Sequence, residues 1–205
     1  MLRVYADIFS GNCYKVKLLM TQLKLPHEWI YTDIRTGVTR QPDYLSKNPN
    51  GRIPLLEYAP GEYLPESNAI LWYLAEGTPF IPDGRLEHAR VLQWMFFEQY
   101  SHEPYIATSR YYITFLGQPE KYADEIARRV KPGYAALGVM EQHLATHDFF
   151  AGGRYSIADI ALYAYTHVAD EGGFDLKGFP AVRSWMERVR NQPGHVGMDV
   201  GNRSS

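Results

Sequence analysis

Residues 2–34 constrain the fold more than any other stretch of the chain. LRVYADI (2–8) and EWIYTDI (28–34) are short and β-rich, and between them Val16, Leu19, Met20 and Leu23 recur at i, i+3, i+4 and i+7. That period is one buried face of a helix. Two strands joined through a helix run parallel with a right-handed crossover, so the chain opens with a βαβ unit. The turn Ser10-Gly11-Asn12 starts the helix, and Pro26 is expected to stop it.

The next segments complete a small mixed sheet. In IPLLEYAPGEYL (53–64), Pro60-Gly61 suits the centre of a type II turn, with Gly61 at positive φ, so the flanks should pair as an antiparallel hairpin. The connection before it has room for a short helix. ESNAILWYLAEG (66–77) reads as a helix with Gly77 as its C-terminal cap. Strand patterns then stop at TPFIPDG (78–84), dense in Pro and Gly, which marks a domain boundary. Residues 86–116 read as one long helix kinked at Pro104. Pro119 is expected to open another, running towards His147, with Pro132-Gly133 either kinking or breaking it. SIADIALYAYTHVA (156–169) begins with a capping-box pattern, Asp159 standing in for Glu, and is apolar on nearly all faces, as the central helix of a bundle would be. PAVRSWMERVRNQP (180–193) is a last helix, with Pro180 at its start and Pro193 beyond its end. The expected organisation is an α/β domain over 1–78, a linker over 79–85 and an all-α domain over 86–205.

Charge and cysteine usage exclude several classes of function. Lys and Arg number 21 against 23 Asp and Glu, the pI is near 6.4, and no basic run stands out. Nucleic acid and anionic membrane surfaces are therefore not expected as partners. One cysteine rules out an internal disulfide framework and a multi-cysteine zinc site. The seven histidines are scattered without an H-E-x-x-H, so no metal is expected. The N-terminus lacks the charged region and apolar core of a signal peptide, and no apolar run approaches the ~20 residues that cross a bilayer. A reduced, cytoplasmic, soluble protein is the expectation.

Chemistry is expected where strands give way to helices. A helix N-terminus offers unpaired N–H groups and a partial positive charge, a ready place for an anion. Two roles are open to Ser10: capping the helix, or donating a hydrogen bond to a bound anion. Asn12 either bonds the local backbone or offers its amide to a ligand. Cys13 lies about one turn further in and should face the sheet as a buried, inert thiol. A second junction lies at PESNAI (65–70). There Glu66 supplies an acid for an ammonium and Ser67 a hydroxyl for a carboxylate, a pair suited to the zwitterionic head of an amino acid, unless the segment is simply a capped helix with an exposed Glu. Ile53 precedes Pro54, so it is extended, and the bond between them is either cis or an ordinary trans link at a strand start. With a cis bond, the Ile53 backbone would face outwards and pair with a peptide ligand.

Taken together, SGNCYKVKLL (10–19), NPNGRIPLL (48–56), ESNAI (66–70) and FFAGGRYSIADIALYAY (149–165) resemble the glutathione transferase family over essentially the whole chain. The resemblance implies a thioredoxin-like glutathione-binding domain followed by an all-helical domain. The first junction is also similar to the thioredoxin C-x-x-C turn, Ser10 replacing the exposed first cysteine and Cys13 keeping the buried second. Carried over residue by residue, Ser10 hydrogen-bonds the glutathione sulfur, as in the serine-type classes. Arg52 lies near the glycyl carboxylate, Ile53 pairs with the cysteinyl unit beside Pro54, and Glu66 with Ser67 holds the γ-glutamyl end. Asn68 stands where some serine-type classes have Arg. Asn12 resembles the Asn of a bacterial class in which a Thr and an Asn near the sulfur accompany disulfide-bond reductase activity. Ser156 and Asp159 match the family's folding signature.

The implied chemistry needs no nucleophile from the protein. A free thiol has a pKa around 8.5, and each unit of lowering is worth about 1.4 kcal/mol, a size that one hydroxyl donor plus a helix N-terminus can supply. Glutathione, a co-substrate, then attacks an electrophile held above its sulfur, in a pocket expected between the domains. Tyr105 and Tyr111, in YSHEPYIATSRYYITF (100–115), suit a flat apolar or aromatic substrate, although core or dimer-interface packing is the competing role. A homodimer is expected. Three activities remain open: conjugation of glutathione to an electrophile, glutathione-dependent reduction of a disulfide or hydroperoxide, and non-catalytic binding by a module that reuses the fold.

Overall fold

The structure is a computed structural model, and it describes residues 1–198. Its contacts divide the described residues into two units, 1–76 together with 193–198, and 77–192. The end of the helical domain expected over 86–205, residues 199–205, lies outside the described residues.

The first unit holds a four-stranded sheet in the order β2-β1-β3-β4. Its strands are β1 (Leu2–Ala6), β2 (His27–Tyr31), β3 (Leu55–Ala59) and β4 (Glu62–Pro65). β1 and β2 are parallel, in register from Leu2 opposite His27 to Ala6 opposite Tyr31, as the βαβ reading requires. β3 pairs antiparallel with both β1 and β4, and Gly61 between them sits at φ +78, the conformation that the turn demanded. The connection from β2 to β3 holds two 3₁₀ turns and the single-turn helix α2 (Pro42–Leu45).

Helix α1 (Gly11–Gln22) packs against this sheet, and helix α3 (Ser67–Ala75) follows β4. Val4, Ala6, Cys13, Val16, Met20, Leu56 and Ile70 form the core. Two expectations for α1 need correction. Its burial is not one-sided, because Tyr14, Lys15 and Leu18 are as enclosed as Val16 and Leu19. Nor does Pro26 stop it. Lys24 turns into the left-handed region at φ +54, and the Lys24 and Leu25 N–H groups bond back to the Thr21 and Met20 carbonyls, so the helix has closed before the proline arrives.

Residues 193–198 return to the first unit. The Tyr14 hydroxyl donates to the Val196 carbonyl at 2.7 Å and lies 3.3 Å from His195 Nε2. The sequence expectation of an all-α domain over 86–205 includes this segment.

The second unit is all-helical. The helix expected over 86–116 forms as one unbroken helical run over 85–115, made of α4 (Arg85–Phe97), a π turn over 98–102, α5 (Glu103–Arg110) and a second π turn over 111–115. The first π turn sits where the Pro104 ring would press on the Tyr100 carbonyl of a plain α-helix. Pro119 does not open a helix. It lies in a turn, and α6 (Ala123–Leu144) starts four residues later. α6 runs unbroken through Pro132-Gly133, where a Cβ on Gly133 would come within 2.4 Å of the Phe174 ring. Helix α7 (Ile157–Thr166) is buried at every position and carries the expected capping box, and α8 (Pro180–Arg190) completes the unit with Pro180 in its first turn. Asp159 accepts from the Ser156 N–H and hydroxyl, the Phe150 N–H and the Trp185 indole, all between 2.9 and 3.2 Å.

Among the described residues, no helix is long and apolar enough to cross a membrane.

Candidate functional site

The first unit gathers most of the sequence-expected residues at the starts of two helices. Ser10 is the N-cap of α1, with extended backbone, and its Oγ accepts the Cys13 N–H at 3.3 Å. Of the two roles open to Ser10, the capping one is seen in this bond, and it leaves the hydroxyl's own hydrogen to be donated elsewhere. Cys13 is fully buried, and burial pushes its thiol pKa up to about 12, so the thiol is inert. Beneath the turn, the Asp7 carboxylate accepts the Phe9 N–H at 2.9 Å, and burial raises its pKa.

Asn12, in the first turn of α1, reaches across to α3. The Ser67 hydroxyl donates to Asn12 Oδ1 at 3.1 Å across 55 residues of sequence. The two helix N-termini are thereby tied together, each with N–H groups that have no partner within the helix and about half a positive charge. That hydroxyl was expected to meet a ligand carboxylate; here it links the helices. Asn68, half-buried beside it, accepts at Oδ1 from Lys15 Nζ at 3.4 Å. Glu66 is exposed and holds φ +72, a left-handed conformation that costs a non-glycine residue about 1–3 kcal/mol and clusters at ligand sites. Asn50 Nδ2 approaches its Oε1 at 3.5 Å, at the outer limit of a hydrogen bond.

The third edge of the site is the turn before β3. The Ile53-Pro54 peptide is cis. Ile53 packs its side chain on the core, and Arg52 is exposed. The Arg52 carbonyl accepts from both the Tyr44 hydroxyl and Asn48 Nδ2, each at 2.8 Å. Neither partner was singled out from the sequence. Asn48 lies within the NPNGRIPLL motif, whereas Tyr44 shows no signal beyond its place in the short helix α2.

Lys15 was missed for a different reason. In CYKVKLL it looks like one of two solvent-facing lysines, yet it is wholly enclosed, with its Nζ 3.3 Å from Ser67 Oγ. The available signal was its i, i+3 spacing from Asn12, which puts both on one side of α1.

Tyr105 and Tyr111 belong to the second unit. Tyr105 is half-buried on α5. Tyr111 is partly exposed on the second π turn, stacked on Phe115 at 5.3 Å and edge-on to Tyr112. Among the described residues, no group of three or more His, Cys, Asp or Glu side chains is placed to hold a metal ion.

Comparison with known proteins bears on this arrangement. Residues 9–76 match the family described as glutathione S-transferase, N-terminal domain, and residues 92–193 match glutathione S-transferase, C-terminal domain. A crystal structure of a glutathione S-transferase from Pseudomonas fluorescens superposes with a TM-score of 0.94 at 53% identity, covering 96% of this chain and 98% of that one. The disulfide-bond oxidoreductase YfcG of Escherichia coli is 32% identical over 191 residues, which is 90% of this chain and 88% of that protein. The structure of Ure2p in complex with glutathione superposes with a TM-score of 0.84 at 26% identity, covering 94% of this chain and 95% of the other.

Proposed function

The chain belongs to the glutathione S-transferase family, and from that premise we propose that it binds glutathione in its first unit and turns the tripeptide's sulfur on an electrophile. The observation that carries this reading is the convergence of the α1 and α3 N-termini through Ser67 and Asn12. Two sets of N–H donors at one place suit a ligand with two anionic groups, a carboxylate and a thiolate. Glu66 takes the γ-glutamyl ammonium, while the Ser67 backbone N–H and the Asn68 amide take its carboxylate. The Ile53 backbone, set by Pro54, pairs with the cysteinyl unit, and Arg52 takes the glycyl carboxylate. The sulfur then lies at the start of α1, beside Ser10 and Asn12.

In conjugation, the thiolate forms a carbon–sulfur bond as the electrophile loses a leaving group or takes up a proton. Tyr105 and Tyr111 keep the substrate-contact role expected from the sequence, for a flat apolar or aromatic electrophile. A homodimer is part of the proposal. In the first unit Tyr58 and Tyr73 are exposed as a packed pair, and in the second Phe96 and Tyr100 are 68% and 84% exposed, surfaces that a second copy would cover.

A specific observation favours a second reaction at the same site. Asn12 is held at the start of α1 by Ser67, beside Ser10, and a 32% identical relative is a disulfide-bond oxidoreductase. In that reaction the thiolate attacks a disulfide, one thiolate leaves, and a second glutathione resolves the mixed disulfide, giving oxidised glutathione and two thiols. Calorimetry tests the shared premise: no heat of glutathione binding at millimolar concentration removes both reactions and leaves a non-catalytic module. With binding present, steady production of oxidised glutathione from a model disulfide selects reduction, and thioether formation with a panel of electrophiles selects conjugation.

A further inference from the structure

Lys15 has no role in the chemistry above, yet its side chain is 0% exposed. Taking an ammonium out of water costs several kcal/mol, so an enclosed lysine calls for a reason. Its Nζ donates to Ser67 Oγ at 3.3 Å and to Asn68 Oδ1 at 3.4 Å. An ammonium only donates. The Ser67 oxygen must therefore receive, and its own hydrogen passes on to Asn12 Oδ1 at 3.1 Å. An amide whose oxygen is held by a donor turns its N–H₂ the other way. The lysine thus sets the polarity of a relay that ends in two asparagines, each with its oxygen towards Lys15 or Ser67 and its amide hydrogens turned away.

We propose that Lys15 is a positioning residue that polarises the Ser67–Asn12 relay and the Asn68 amide, so that both asparagines meet bound glutathione as hydrogen-bond donors. Asn12 then donates to the thiolate, and Asn68 to the γ-glutamyl carboxylate. A hydroxyl or amide in Lys15's place could run the relay in either direction. The reverse direction would turn the Asn12 carbonyl oxygen on the sulfur and repel the anion. The ligand half of this inference rests on the proposed glutathione site; the polarity of the relay does not.

Two measurements separate those parts. In the protein without ligand, the side-chain amide ¹⁵N–¹H signals of Asn12 and Asn68 are identified by their loss in Asn12→Asp and Asn68→Asp. Lys15→Met, which keeps length but removes the donor, is expected to shift both signals, and Lys15→Arg, again donor-only, to restore them. Signals unmoved in Lys15→Met overturn the relay. With glutathione saturating, the ultraviolet thiolate absorbance of the complex at neutral pH is expected to fall about three- to tenfold in Lys15→Met, the loss of one charge-assisted donor, and to recover in Lys15→Arg. An unchanged thiolate fraction overturns the proposed effect on the sulfur. Failure of the wild type to bind glutathione defeats the proposed function, and the amide signals still decide the relay. Should Lys15→Met not fold, Lys15→Gln, which can donate or accept, is measured in the same two ways and is expected to give intermediate shifts and an intermediate thiolate fraction; wild-type values in both overturn the proposal.

Discussion

Ser10 and Asn12 sit two residues apart at the start of α1, but their hydrogen bonds give them different jobs. Ser10 caps its own helix by accepting the Cys13 N–H, whereas Asn12 is held from outside by Ser67. Ser10→Ala is therefore expected to cost about 1 kcal/mol of stability as a lost cap and to change turnover little. Asn12→Ala is expected to lower kcat/KM by about 10- to 100-fold, the worth of a hydrogen bond to a charged group. Urea midpoints and steady-state kinetics on both variants check this, and a larger kinetic loss in Ser10→Ala would return the sulfur to the serine. Cys13, with its thiol pushed up to about 12 by burial, should resist alkylation in the folded protein at neutral pH, and Cys13→Ala should keep turnover. Labelling that matches the rate of a free thiol would contradict this. The cap at Ser10 and the buried Cys13 were legible because each depends on residues within one turn. The partner of Asn12 was not, since it lies 55 positions away, and Lys15 was hidden because composition ranks lysine as solvent-facing.

Elements were legible in proportion to how local their determinants are. The capping box of α7 is written in four consecutive residues and forms as expected. The parallel pairing of β1 with β2 follows from the helix between them, and the hairpin from Pro60-Gly61. The disturbance expected at Pro104 takes the form of the π turn just before it, whereas the second π turn, over 111–115, has no proline to mark it. The close fit of Gly133 in α6 against the ring of Phe174, 41 residues on, was not legible. Asp159 ties three parts of the helical unit together through Ser156, Phe150 and Trp185. Burial raises its pKa from 3.8 to about 6, outweighing those hydrogen bonds. The folded chain then holds a proton that the unfolded chain releases first, so this group's contribution to stability falls as pH rises from about 4 to about 6 and levels off above. The difference in unfolding free energy between wild type and Asp159→Asn, measured by urea titration across that range, should shrink with rising pH. The variant itself should lose about 2–4 kcal/mol, since an amide turns an N–H₂ on donors that expect an acceptor. A difference that does not vary with pH would contradict the raised pKa.

On the scale of the whole molecule, the sheet unit is built from two separated pieces of chain and the helical unit from one. The split near Gly77 was readable in the Pro- and Gly-rich stretch before α4, but the return of residues 193–198 to α1 was not, since GHVGM carries no periodic pattern. Ending the chain after Gln192 removes the Val196 carbonyl and His195 from the Tyr14 hydroxyl, and the cover over a residue that is 2% exposed. It should destabilise the sheet unit by about 2–3 kcal/mol while leaving the helical unit folded. Hydrogen exchange resolved by peptide checks this, with protection expected to fall in α1 and to persist in α7. Sedimentation of the intact chain tests the homodimer, and a monomer at micromolar concentration would remove that part of the proposal. The tail contact also sets an order of assembly during synthesis. A ribosome delivers β1 to α3 first and the strip that closes over Tyr14 last, after every helix of the other unit has emerged. The sheet unit that carries the proposed site can therefore be closed over Tyr14 only after Val196 has left the ribosome, so a nascent chain stalled before that point would carry a sheet still lacking its clasp.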